Sequence, residues 1–239
     1  ARTPIFLNFG DLMNIIALIP TLRDNPSRTI ESILNQTVKV LKIIVITGSK
    51  ERYSCSSFKG SGIVEVIYNK PNMDYPLGKR IAIALNVALC QVNLKEYDYI
   101  LRVDADTLIP NRFIELNLKA NADYVGKAGY AMLLKASTFL EVFNGRFAEV
   151  GAEDSYIGLK LLKKGYCVIK WVCPSILMRK SGQHHSYRYY INRGKAMYKL
   201  GYEPIHVLET SRHNLRNIFC IFGYISSLLK RIERYEFAS

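Results

Sequence analysis

Cysteine is scarce in this 239-residue chain: Cys55, Cys90, Cys167, Cys173 and Cys220 make five, an odd number. They form no Cys-x-x-Cys pair and no Cys/His cluster at zinc spacing, which argues against a disulfide framework or structural zinc site and fits a reducing cytoplasm. Long apolar runs are also missing. The stretch between Arg216 and Lys230 has 13 uncharged residues, short of the roughly 20 that cross a bilayer as a helix. The chain does not open with a charged segment, an apolar run and a cleavage site, so no signal peptide is expected, and residues 1–12 are expected to be an extension outside the domain. Acidic residues are absent from Ser155 to Tyr202, where ten Lys or Arg occur. The formal charge of +13 is thus concentrated in the C-terminal half, where it suits phosphates, nucleic acid or an anionic membrane. What remains is ordinary: 49% hydrophobic and 22% charged residues with no repeat, enough for one core or a core plus a small appendage.

The apolar runs that are present are short and regularly spaced. Ile15 to Ile19, ending at Pro20, reads as a buried strand. Asn25-Pro26 suits a helix start, after which Ile30, Ile33 and Leu34 share a face. Leu41 to Ile46 stops at Gly48-Ser49, and Ile63 to Ile67 stops at Asn69-Lys70-Pro71. A largely buried helix is expected over Lys79–Cys90, then a strand over Tyr97–Val103 that ends at Asp104. The second half reads as a strand around Ala131–Leu134, a helix from Asp154 to Lys164 closed by Gly165, and a strand over Cys167–Val172. Helices are expected around 186–200 and 214–234. The alternation predicts parallel βαβ units and a sheet covered on both faces. Ligands of such sheets sit at the carboxyl ends of strands. Here those tips are Thr21-Leu22-Arg23-Asp24, Thr47-Gly48-Ser49 and Asp104-Ala105-Asp106.

Asp104 and Asp106, one residue apart beyond a buried strand, can converge on one divalent cation if the turn bends. Their hard oxygens suit Mg²⁺ or Mn²⁺ carrying a nucleotide diphosphate. The plainer reading makes them caps of the turn before Pro110. Glu153-Asp154 at a helix start is either an ordinary cap or the source of a general base for an acceptor hydroxyl. Gly78-Lys79-Arg80 offers helix N–H groups and two cations as a diphosphate cradle, or a solvated basic turn; it is not a P-loop. Of His184 and His185, adjacent among basic and aromatic residues, one is a metal or phosphate partner, or both are surface side chains.

In order along the chain, these pieces resemble family 2 inverting glycosyltransferases of the GT-A fold. The pieces are Ile19–Arg23, Ser32–Thr37, Gly78–Arg80 with Ala84-Leu85-Asn86, Asp104–Asp106, Gly129–Met132, and Glu153-Asp154 with Leu159, Leu162 and Gly165. His185 with Arg188, Arg193, Gly194 and Gly201 completes the order. The resemblance covers about Ile15 to Tyr202. It implies that Pro20, Thr21 and Arg23 line the nucleotide pocket, and that Asp104 and Asp106 hold a nucleotide-sugar diphosphate through Mn²⁺ or Mg²⁺. It further implies Asp154 as the base, His185 or His184 completing the metal site, and Gly78, Lys79, Arg80, Arg188 and Arg193 on the donor side. Gly129 and Glu153 fall on the acceptor side. Thr47 departs from the pattern, because such proteins usually carry Asp there to contact the base.

The fold expected is therefore a single GT-A-type α/β domain over 13–205, its donor half about 13–108 and its acceptor half about 109–205. A C-terminal amphipathic extension over 206–239 follows. There Leu215, Ile218, Phe219, Phe222 and Leu229, widened by Ile221 and Ile225, form an apolar stripe flanked by Arg212, Arg216, Lys230, Arg231 and Arg234. It suits a membrane surface, the catalytic core or a second copy. A cytoplasmic enzyme is the expectation; if the stripe docks on a membrane surface, the enzyme is peripheral there and its acceptor can be lipid-linked. The rival readings are a nucleotidyltransferase, which lacks its Gly-rich loop at Pro20–Asn25, and a nucleic-acid-binding module, which leaves Asp104 and Asp106 unexplained.

Overall fold

A computed structural model describes residues 13–22, 24–49, 62–127, 130–178, 186–212 and 215–235. The first half runs β1 (Ile15–Thr21), α1 (Ser27–Leu34), β2 (Lys42–Thr47), β3 (Val64–Tyr68), α2 (Leu77–Leu89), β4 (Tyr99–Val103) and β5 (Thr107–Leu108). Then come α3 (Phe113–Leu118), β6 (Tyr124–Lys127), β7 (Ala131–Lys135), α4 (Ala136–Phe143), α5 (Glu153–Lys163), β8 (Val168–Ile169) and β9 (Ile176–Leu177). Three helices end the chain: α6 (Tyr187–Lys199), α7 (Pro204–Arg212) and α8 (Ile218–Leu229).

The main sheet has seven strands in the order β3-β2-β1-β4-β7-β6-β8. β1 and β4 are buried from end to end, which is why they read as continuous rather than alternating runs, interrupted in β4 by Arg102. Pro20 has no N–H to donate, and it lies beyond Leu18, the last residue of β1 in register with β4. Residues facing opposite sides of β1 enter different cores. Ile16 and Leu18 join the layer of α2, α4 and α5; Ile15, Ala17 and Ile19 join the layer of α1 and α3.

Expectation and structure differ in several places. β3, β2, β1 and β4 are parallel as expected, but β7 runs antiparallel to both β4 and β6. Only three residues separate β6 from β7, too few for the crossover that parallel strands need. The strand expected over Cys167–Val172 shrinks to Val168–Ile169, because it pairs with only Tyr124 and Val125 of β6. The helix expected over 214–234 starts as a 3-10 turn at Leu215–Asn217 and stops at Leu229. α3, α4 and α7 were not anticipated. The C-terminal helices pack as a layer of their own around Tyr190, Tyr198, Val207, Cys220 and Tyr224. Among the described residues, no helix is long and apolar enough to cross a membrane.

Candidate active site

The Asp104–Asp106 turn is held from two sides. Asp104 N–H donates to the Tyr130 carbonyl at 2.9 Å, and Thr107 N–H closes the turn on the Asp104 carbonyl at 3.0 Å. Beneath it, the buried Thr29 hydroxyl of α1 lies 2.9 Å from the carbonyls of both Ala105 and Thr107. Further along, the Gln36 carboxamide donates to the Pro110 carbonyl at 2.7 Å and accepts from Ile114 N–H at 3.0 Å. Such satisfied buried polar groups fix geometry rather than add much net stability. They explain why the buried side of α1 carries Thr29 and the turn after it carries Gln36. β5 then pairs with β9, and Met178 N–H reaches the Asp106 carbonyl at 2.9 Å.

Beside this turn sits a charge that the sequence analysis did not single out. Arg102, 2% exposed, occupies β4 two residues before Asp104. Its Nη2 lies 3.2 Å from Asp104 Oδ1, and its Nη1 lies 2.9 Å from Oε1 of the equally buried Glu153. The second approach is an ion pair by distance, without hydrogen-bond alignment at Nη1. Burial opposes the Arg102 charge, but Asp104, Glu153 and Asp154 outweigh it and hold its pKa above the usual value. Glu153 is pushed up to about 8 by burial, with Arg102 opposing and Asp154 and Asp104 adding. A buried arginine in a strand of otherwise uncharged residues was the signal available.

α5 opens with Glu153 and Asp154 in its first turn, the end of a helix that favours acids. Asp154 Oδ1 accepts from Ser155 N–H at 2.6 Å. The approach to this turn is fixed by Asn86 of α2, whose carboxamide donates to the Phe147 carbonyl at 3.0 Å and accepts Phe147 N–H at 2.7 Å. Gly78 packs so tightly that a side chain there would strike Glu153 and the Gly151 backbone. The start of α2 therefore adjoins the acids.

The structure thus brings Asp104, Asp106, Glu153, Asp154 and Gly78 together. Asp104 is pushed up to about 6 by burial first, with Arg102 opposing and the charges of Asp154 and Asp106 adding. Asp104, Asp106 and Asp154 are half-buried, and their carboxylate oxygens are hard donors of the kind Mg²⁺ or Mn²⁺ takes. Among the described residues, no group of three or more His, Cys, Asp or Glu gathers as a metal site. His184 and His185 lie outside the described residues, as do Arg23 and Gly129.

The other expected residues take distinct places. Pro20 and Thr21 end β1, and Thr21 is in register with Thr47 at the end of β2. The Thr21 hydroxyl donates to the Asp24 carbonyl at 2.6 Å, and the Thr47 hydroxyl lies 3.2 Å from Ser49 N. Both shape their own loops. Lys79 lies 4.0 Å over the Tyr75 ring, and Arg80 reaches Met73 Sδ at 3.0 Å. Arg188 and Arg193 are exposed on α6. Arg193 and Asp154 both act on the Tyr189 and Tyr202 hydroxyls, with opposite sign. Tyr189 of α6 and Tyr202 after it thus lie within electrostatic reach of Asp154. A wall of Tyr130 and Trp171, ring centroids 6.1 Å apart, stands where β7 begins, and Trp171 Nε1 donates to the Ala131 carbonyl at 2.8 Å.

No family model and no curated protein matches this chain. Solved structures do. A mannosyltransferase from Pyrobaculum calidifontis, in complex with GDP-Man and Mn²⁺, is 15% identical over 90% of this chain and 75% of its own, with a TM-score of 0.57. Glucosyl-3-phosphoglycerate synthase from Mycobacterium tuberculosis, in complex with Mg²⁺ and UDP, is 13% identical over 80% of each chain, with a TM-score of 0.55. The fold is GT-A. At such identities the likeness extends to the GT-A architecture, a mostly parallel sheet between helical layers.

Proposed function

We propose that the chain is a divalent-cation-dependent glycosyltransferase of the family 2 kind, moving a sugar from a nucleoside-diphosphate donor to an acceptor hydroxyl with inversion. The observation that carries this reading is the gathering of Asp104, Glu153 and Asp154 around Arg102, with Asp106 beside Asp104, at the carboxyl end of β4 in a GT-A sheet. The solved relatives with GDP-Man, UDP, Mn²⁺ and Mg²⁺ support it.

In this reading Asp104 and Asp106 hold Mn²⁺ or Mg²⁺, with His185 or His184 as a further ligand. The cation, when bound, neutralises charge on the leaving diphosphate. Pro20, Thr21 and Arg23 line the nucleoside side, with Thr47 at the neighbouring strand end. Gly78, Lys79, Arg80, Arg188 and Arg193 surround the phosphates. Asp154 takes the proton of the acceptor hydroxyl as its oxygen bonds to the anomeric carbon, and the bond to diphosphate breaks with its electron pair. Attack from the face opposite the leaving group inverts that carbon. Glu153, pinned by Arg102, sets the start of α5 and hence Asp154, while the Tyr130 and Trp171 rings, tilted 41° to each other, offer aromatic surface to a sugar. Gly129 lies on the acceptor side. A lipid-linked acceptor is the reading that the outer face of α8 favours.

Calorimetry of Mn²⁺-dependent binding of UDP- and GDP-sugars tests the assignment. Asp104→Asn and Asp106→Asn should each remove most of the cation-dependent affinity while the protein stays folded. Equal donor affinity with chelator present would overturn it.

A further inference from the structure

α8 is apolar all the way round. Its inner face, Cys220, Gly223, Tyr224 and Ser227, is buried, and Gly223 meets the Ile191 backbone of α6 directly. Its outer face repeats at i, i+4, i+7 and i+11: Ile218, Phe222, Ile225 and Leu229 are 49%, 58%, 44% and 77% exposed. A helix hydrophobic on every side belongs in an apolar medium, yet nothing in the chain's described residues covers this side. The face continues inward through aromatic contacts, with Phe222 6.2 Å from Phe219 and Phe219 6.1 Å from the exposed Tyr187.

The surrounding charge is mainly positive, with Glu233 lying between Arg231 and Arg234. α8 contains no acid. Arg216 precedes it and Lys230, Arg231 and Arg234 follow, all exposed, in a chain of net charge +13. A second copy would bring the same cations to the same stripe. The stripe is also small: 12 residues rising about 1.5 Å each on a helix about 10 Å wide give a face of about 180 Å², well short of the roughly 800 Å² per partner of a stable interface. An anionic lipid surface answers both features, since it accepts a short apolar stripe and attracts the cations at its ends.

We propose that the outer face of α8 seats the protein on the surface of an anionic membrane, the helix lying in the interface. The apolar side chains enter the headgroup–acyl boundary, and Arg216, Lys230 and Arg231 meet lipid phosphates. The inference stands on the surface alone, independent of the sugar-transfer reading.

Co-flotation of the full chain with vesicles tests it. The protein should float with phosphatidylcholine–phosphatidylglycerol vesicles, far less with phosphatidylcholine alone, and lose retention as salt rises. Phe222→Glu with Leu229→Glu, at exposed positions, should abolish flotation while circular dichroism stays native. Lys230→Gln and Arg231→Gln should each weaken binding to anionic vesicles about fivefold. Absent flotation of the intact chain would overturn the proposal, as would undiminished flotation of the substituted chains. So would a dimer in sedimentation velocity that Phe222→Glu dissolves, which would assign the face to a second copy.

Discussion

Arg102 is the residue on which the acid cluster turns. One guanidinium, 2% exposed, faces Asp104 and Glu153 and feels Asp154. Removing it leaves buried carboxylates without a partner, which costs more than the intact pair contributes. Arg102→Met should therefore lower unfolding free energy by about 3–5 kcal/mol in denaturant titrations. Adding Glu153→Gln should recover part of that loss, because the uncompensated charge goes with it; no recovery would mean that Arg102 acts through packing alone. Asp154 plays a different part. If it is the base, Asp154→Asn should reduce kcat strongly and leave donor affinity little changed, since the interaction is made only in the transition state. Product NMR should show an inverted anomeric centre, and a retained anomer or a fully active variant would overturn the role. Asp104 and Asp106 were legible in the sequence because they follow a buried strand directly. Arg102 was not, because a single charge inside an apolar run reads as an exception until its two partners are seen.

At the scale of elements, the tightest junction is α6 against α8. A side chain at Gly194 would strike the Cys220 backbone, and one at Gly223 would strike the Ile191 backbone. Alanine gains up to about 1 kcal/mol over glycine inside a helix. Overpacking costs about 1–3 kcal/mol, and here the obstacle is backbone, which yields least. Gly194→Ala should thus destabilise the protein in thermal melts despite its better helix propensity; an unchanged or raised Tm would show that the two helices part easily. α1, α2, α5 and α6 were legible from start signals and apolar spacing. α3, with six residues, and α4, directly following β7, were not. Short segments carry too few turns to show a helical period.

Across the whole molecule, the C-terminal helices are tied to the layer that carries α5. Tyr202 is hydrogen-bonded to Ser155, next to Asp154, and the Tyr224 hydroxyl donates to the Tyr202 carbonyl at 2.8 Å. Tyr235 packs edge-on against Tyr156 of α5, ring centroids 5.7 Å apart. A membrane contact through α8 would therefore set the orientation of the acid cluster relative to the lipid surface, and its salt sensitivity would follow from the same excess of cations that composition reveals. By itself the sequence determined the parallel half of the sheet, from β1 to β4, and the strand tips where polar residues converge, because fully buried strands leave continuous apolar runs ending in recognisable loops. It also determined the basic, apolar character of the C-terminal segment. Only the tertiary structure decided that β7 runs antiparallel, that Arg102 lies between Asp104 and Glu153, and which side of α8 faces outward. Those outcomes depend on which residues distant in sequence meet, and local periodicity carries no record of a partner 51 residues away along the chain, as Glu153 is from Arg102.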